Sequence, residues 1–226
     1  MKIIAIILLV TLTYYGIVIS IAKQETTQII EESKTSVPIE LSLDKLTQRQ
    51  IDILLKVQDP NFFNHKGTDF STPGAGITTV TQALVKKLYY ENFKPGIAKL
   101  RQSLIARYAL DPQMTKNDQL ELFINIASLG INNSKPVIGF SQAAEKYYNK
   151  PFEQLTENEY ISIVAMLIAP QKFHIKVNPE KNQNRVERIK LLIDGKYEPK
   201  SLMDLYYGGN TFSTNTSKIN KMIWGY

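Results

Sequence analysis

Residues 3–22, IIAIILLVTLTYYGIVISIA, run for twenty positions without a charge. At about 1.5 Å of rise per helical residue, such a run spans the ~30 Å hydrocarbon layer of a bilayer. Lys2 precedes it and Lys23 follows it. A cleaved signal peptide is the competing reading, but its apolar core is roughly 7–15 residues long and ends in a small-x-small site. This run is longer, and VISIAKQ offers a poor site. The sequence therefore predicts an uncleaved transmembrane anchor over residues 1–23. One lysine on each side gives the positive-inside rule too little to set orientation. Residues 24–42 are largely polar and read as a stalk, and residues 43–226 read as one folded unit without internal repeats.

The chain has 226 residues, 43% of them hydrophobic, enough to bury a sizeable core. With no cysteine, a disulfide scaffold and a thiolate metal site are both excluded. The net charge of +6 suits an anionic partner. Six of the basic residues, Lys86, Lys87, Lys94, Lys99, Arg101 and Arg107, crowd one window that holds a single acid, Glu91. A basic patch behind a membrane anchor points to lipid-linked anions rather than nucleic acid.

Helical signals dominate the folded unit. Thr47 with Gln50 makes a capping-box pattern, and Pro60 ends the helix that follows. Val80, Leu84 and Leu88 recur at a helical period after Thr79. Pro95 can open the next helix, with Ile97, Leu100, Leu104 and Tyr108 on one face. Thr115 with Asp118, and Thr156 with Glu159, start two more. The segment ENEYISIVAMLIA is apolar nearly all round, which predicts a central buried helix. NRVERIKLLI reads as a last amphipathic helix, and the best strand signal is VPIELSL near residue 40. The expected fold class is mainly α.

The order of the polar motifs resembles glycosyltransferase family 51, the peptidoglycan polymerases that extend glycan strands from lipid II. QDPNFFNHKG matches the family's first motif at Asp59, Phe62, His65 and Gly67. GITTVTQALVK matches the second at Gly76, Thr79, Thr81, Gln82, Leu84 and Lys86. AKLRQ keeps only Lys99 of the third, and KNDQLELFIN keeps Lys116, Leu120, Glu121 and Asn125 of the fourth. GFSQAAEKYYNK, LTENEYISIVAMLIAP and NRVERIKLL look like the family's later helices and its arginine-bearing end. The likeness covers residues 45–195, in order.

The resemblance implies a lysozyme-like helical glycosyltransferase domain behind the anchor. It implies a single-pass protein of the bacterial cytoplasmic membrane, with its domain on the periplasmic or extracellular side. Lipid II, the nascent glycan strand, membrane lipids and other cell-wall synthesis proteins are the implied partners. A divalent metal, Mg or Mn, is the cofactor that the resemblance allows. Substrate-binding residues carried over are Phe62, His65, Thr79, Gln82, Lys86, Lys99, Glu121 and Asn125. Catalytic positions are Gln58, at the family's general-base glutamate, Asp59, and Gln102, at its second glutamate.

The departures bear on chemistry. Glutamine occupies both glutamate positions, Ala83 replaces the second glutamine of the second motif, and only nine residues separate Gly67 from Ile77. A glutamine accepts a hydrogen bond but cannot carry off a proton, and a general base contributes about 10²–10⁴-fold. Asp59, Asp69, Glu121 and His65 are the neighbours that could replace it. For Asp59 a loop-fixing role, bonding backbone N–H groups, is the preferred expectation. For Glu121 the preferred role is support of the packing around Asn125. Two functions stay open: a polymerase of lipid II, and a degenerate protein that holds lipid II or glycan, or scaffolds other wall enzymes, without joining it.

Overall fold

The computed structural model describes residues 2–208. Its first element, α1 (Lys2–Ser36), is 35 residues long. It is long and apolar enough to cross a membrane, with a mean hydropathy of 2.4 over its most apolar window. The helix does not end where the charges begin. Ala22, Thr26, Ile30 and Ser33 recur every three to four residues, lie on one face, and are buried against the rest of the chain. Thr26 Oγ1 lies 2.6 Å from Tyr89 Oη, and Gln113 Nε2 donates to Lys23 O at 3.1 Å. The segment expected as a stalk is thus helical to Ser36 and docked. Its buried face carries Thr and Ser, so composition hid it.

Side-chain caps set the next helices. Thr47 and Gln50 form a reciprocal capping box at the start of α2 (Gln48–Gln58). Thr79 and Gln82 do the same for α3 (Val80–Leu88). Gly96 precedes α4 (Ile97–Ile105), which passes through a π turn (Ala106–Leu110) into the short α5 (Asp111–Gln113). Thr115 caps α6 (Lys116–Ile126), whose first-turn Asp118 suits the positive helix end. Asn149, with φ 53°, ends α7 (Phe140–Tyr148) in the left-handed conformation that asparagine tolerates. The box of Thr156 and Glu159 opens α8 (Glu157–Met166), and Pro179 opens α9 (Pro179–Ile193). The mainly α expectation holds.

The core forms around α8, which packs against α2, α7 and α9. Tyr160, Ile161, Ile163 and Val164 are fully buried. Each such aliphatic side chain contributes about 1.5–3 kcal/mol by leaving water. The expected strand near residue 40 does not form. Asn125 takes both backbone groups of Leu41, accepting from its N at 3.0 Å and donating to its O at 2.7 Å. With those groups satisfied by a side chain, Leu41 enters the core without a partner strand. The strands lie instead in a hairpin, β1 (Ser128–Asn132) with β2 (Lys135–Ile138). Asn133 and Ser134 make its two-residue turn, both at positive φ.

Candidate active site

A cavity of about 510 Å³ opens between the end of α2, the loop before α3, α3 itself, α4 and the segment that follows α9. Gln58, Lys86, Lys99 and Gln102 all line it. The charged side chains of the lining are Lys86, Lys87, Lys99 and Arg185. Among the described residues, no carboxylate and no histidine lines it.

The adjacent pair Gln58 and Asp59 is split by the end of a helix. Gln58 is the last residue of α2 and faces the cavity. Asp59, in the C-cap position, turns inward and is 1% exposed. One of its oxygens accepts from Val80 N, the first residue of α3, at 2.9 Å. Both oxygens lie 3.0 Å from His65 Nε2. This carboxylate joins the end of α2 to the start of α3, which fixes Gln58 relative to the lysines of α3.

Gln102 is 1% exposed. Its Nε2 donates to Gln82 O at 2.5 Å, while its Oε1 is buried without a partner. Lys99 Nζ donates to Thr78 Oγ1 at 2.8 Å. Burial, with the neighbouring charge of Lys86 as the second cause, brings the Lys99 ammonium down to about 8. Lys86 Nζ stands 5.3 Å from the centre of the Phe93 ring.

Six of the expected substrate contacts face the fold rather than the cavity. Phe62 is buried and meets His65 edge to face. Thr79 donates to Gly67 O at 2.8 Å beyond its capping role. Gln82, fully buried, accepts from Thr79 N and donates to Ser103 Oγ at 2.8 Å. Glu121 accepts from Leu43 N at 2.7 Å, and Asn125 holds Leu41. Asp69 also lies outside the lining. Burial pushes its carboxyl up, but bonds from Thr72 and Ser71 outweigh that and hold it well below the usual carboxylate range. Arg101 and Arg107 are exposed and off the cavity.

Other lining residues escaped the motif reading. Arg185, on α9, is 3% exposed; it donates from Nε to Ala165 O at 3.1 Å and from Nη1 to Leu205 O at 2.8 Å. Its only sequence signal was the arginine-bearing end of the resemblance. Met203, Leu205 and Tyr207 come from a strap beyond α9 that closes one wall. Gly74 N and Gly76 N donate to Ser201 O and Leu202 O, both at 2.9 Å, and Tyr207 Oη donates to Val57 O at 3.2 Å. No local pattern in residues 199–207 signals that wall.

The donor set does not fit a divalent cation. Mg²⁺ is held through carboxylates and phosphate oxygens, and the described lining offers four cations and two neutral amides from Gln58 and Gln102. No cluster of three histidine or carboxylate side chains that could hold a metal ion occurs among the described residues.

The profile of the Transglycosylase family matches residues 23–193. The chain is 29% identical over 153 residues to penicillin-binding protein 1A of Pseudomonas aeruginosa, covering 62% of this chain and 18% of that protein. It is 27% identical over 207 residues to penicillin-binding protein 1A of Haemophilus influenzae, covering 82% of this chain and 24% of that one. Penicillin-binding protein 1F of Bacillus subtilis is 22% identical over 197 residues, covering 81% and 27%. The chain thus spans roughly a fifth to a quarter of the length of these relatives. The match takes in every element that builds the cavity except the strap, and on that extent the chain belongs to the transglycosylase family.

Proposed function

We propose that this chain is a peptidoglycan glycosyltransferase that takes lipid II and extends a glycan strand, releasing prenyl pyrophosphate. The observation that carries the reading is the meeting of Lys86, Lys99, Gln58 and Gln102 in one cavity. In the reaction an acceptor sugar hydroxyl attacks the anomeric carbon of the donor. The bond from that carbon to the pyrophosphate oxygen breaks. Charge grows on the leaving pyrophosphate where Lys86 and Lys99 stand, which is the arrangement that lowers such a barrier. The hydroxyl proton passes to water or to the leaving group, since no carboxylate lines the described cavity. Turnover is accordingly slow, lacking the ~10²–10⁴-fold of a general base. Residues 1–23 serve as the single membrane span, with residues 24–42 leading from it and the domain of residues 43–226 on the outer face of the bacterial cytoplasmic membrane.

The carboxylate-free lining also favours a second reading, in which the protein holds lipid II or nascent glycan beside other wall enzymes without joining it. A lipid II polymerisation assay on the native chain and the Gln58→Glu variant separates the two. Slow chain growth by the native protein, faster by roughly 10²-fold or more in the variant, is the outcome expected of the polymerase. No growth by the native protein, with growth by the variant, leaves the holding function. No growth by either removes the polymerase reading.

A further inference from the structure

We infer that the cavity holds a lipid-linked pyrophosphate with its lysines alone, and that a divalent cation takes no part in that binding. This rests on the functional reading above and concerns how this particular chain neutralises its ligand.

Three observations converge on it. The resemblance places a carboxylate where Gln102 stands, the natural partner of a metal beside a pyrophosphate. Here the amide donates Nε2 to Gln82 O and leaves Oε1 neutral, buried and unpartnered. One buried neutral carbonyl is a poor substitute for the anionic ligands that Mg²⁺ takes alongside phosphate. Second, the cationic side chains of the lining, Lys86, Lys87, Lys99 and Arg185, face no acid across the described cavity. Third, the Lys99 ammonium already bears costs that an added cation would share. Its own charge is disfavoured there by burial and by Lys86. A doubly charged ion entering the same space meets twice the repulsion per neighbouring charge, while a pyrophosphate relieves it.

The test uses the full chain in detergent micelles and lipid II labelled on its stem peptide. Fluorescence anisotropy gives Kd in EDTA and in MgCl₂ at matched ionic strength. The expected Kd differs by no more than about two-fold between the buffers, the scale of residual screening differences. Lys99→Met weakens binding by about ten-fold or more, on the order of the 1.4 kcal/mol that ten-fold represents, and Mg²⁺ does not restore it. Gln102→Glu, which returns a carboxylate to the wall, makes binding sensitive to EDTA. Native binding that weakens about ten-fold or more in EDTA overturns the inference, and so does rescue of Lys99→Met by Mg²⁺. Absence of binding in both buffers overturns the functional reading itself and this inference with it, so the two failures are distinct.

Discussion

Asp59 and His65 meet behind the cavity wall, with His65 Nε2 3.0 Å from both carboxylate oxygens and both side chains almost wholly buried. The pair belongs to the joint between α2 and α3, since the same carboxylate also receives Val80 N. Replacing Asp59 by Ala orphans His65 Nε2 and the Val80 N–H, at about 1–3 kcal/mol for each buried group. Urea denaturation is expected to show that loss, while the folded fraction still binds lipid II. Intact stability with lost turnover would instead place Asp59 in the chemistry.

Gly67 is pinned by its neighbour as well as by its φ of +78°. A Cβ there would lie 2.4 Å from Ala106 O, a backbone atom of the π turn. Gly67→Ala is expected to cost about 1–2 kcal/mol for the left-handed conformation and about 1–3 kcal/mol for overpacking. A change in unfolding free energy below about 0.5 kcal/mol, the scale of a neutral surface substitution, would contradict this.

Arg185 holds the strap through Leu205 O, and the guanidinium lies 5.7 Å from the Tyr206 ring centre and 5.5 Å from that of Tyr207. Lysine lacks the planar fork that serves Leu205 O and Ala165 O together. Arg185→Lys is expected to loosen the strap, so that the amides of Gly74 and Gly76, bonded to Ser201 O and Leu202 O, exchange faster with solvent deuterium. Unchanged exchange at both amides would show that the strap holds without it.

The Lys99 ammonium, lowered to about 8, gives ligand binding a pH dependence. An anionic pyrophosphate raises that value in the complex, so the complex retains the proton over a range where the free protein loses it. Affinity is therefore flat below about 8 and falls above it, with a slope approaching one log unit per pH unit. Folding stability moves the other way. The folded value lies below the ordinary 10.5, so the unfolded chain binds more protons between about 8 and 10.5 and stability rises with pH across that window. Lys86→Met removes the neighbouring charge and is expected to shift the break in affinity to higher pH. Titration of Kd from pH 6 to 10 at constant ionic strength, roughly the span over which such a lysine titrates, checks both.

The features legible in the sequence were those written in local interactions. The capping pairs at Thr47 and Thr156 each reach only three residues along the chain, and the helices begin there. Proline at position 60 bars continuation of α2, and the uncharged run of residues 3–22 gives α1 its apolar, membrane-length part. The motif order brought Gln58, Lys86, Lys99 and Gln102 into consideration together. What it did not separate was residues that face the cavity from residues that hold it open. Asn125 and Glu121 look like site residues in a motif, yet each bonds backbone near residue 42, about 80 positions away in the chain.

The sequence by itself determined most helical segments after residue 43, the membrane-length apolar run and the family, because these rest on periodicity, capping and the order of residue types. Only the tertiary structure decided that Gln58 turns outward while Asp59 turns inward, and that no carboxylate among the described residues lines the cavity with Lys86 and Lys99. It also placed the strap of Met203, Leu205 and Tyr207 as a wall. The physical reason is that a side chain's direction at a helix end, and the meeting of segments over a hundred residues apart, are fixed by burial and hydrogen bonding across the whole fold, as with Tyr207 Oη on Val57 O.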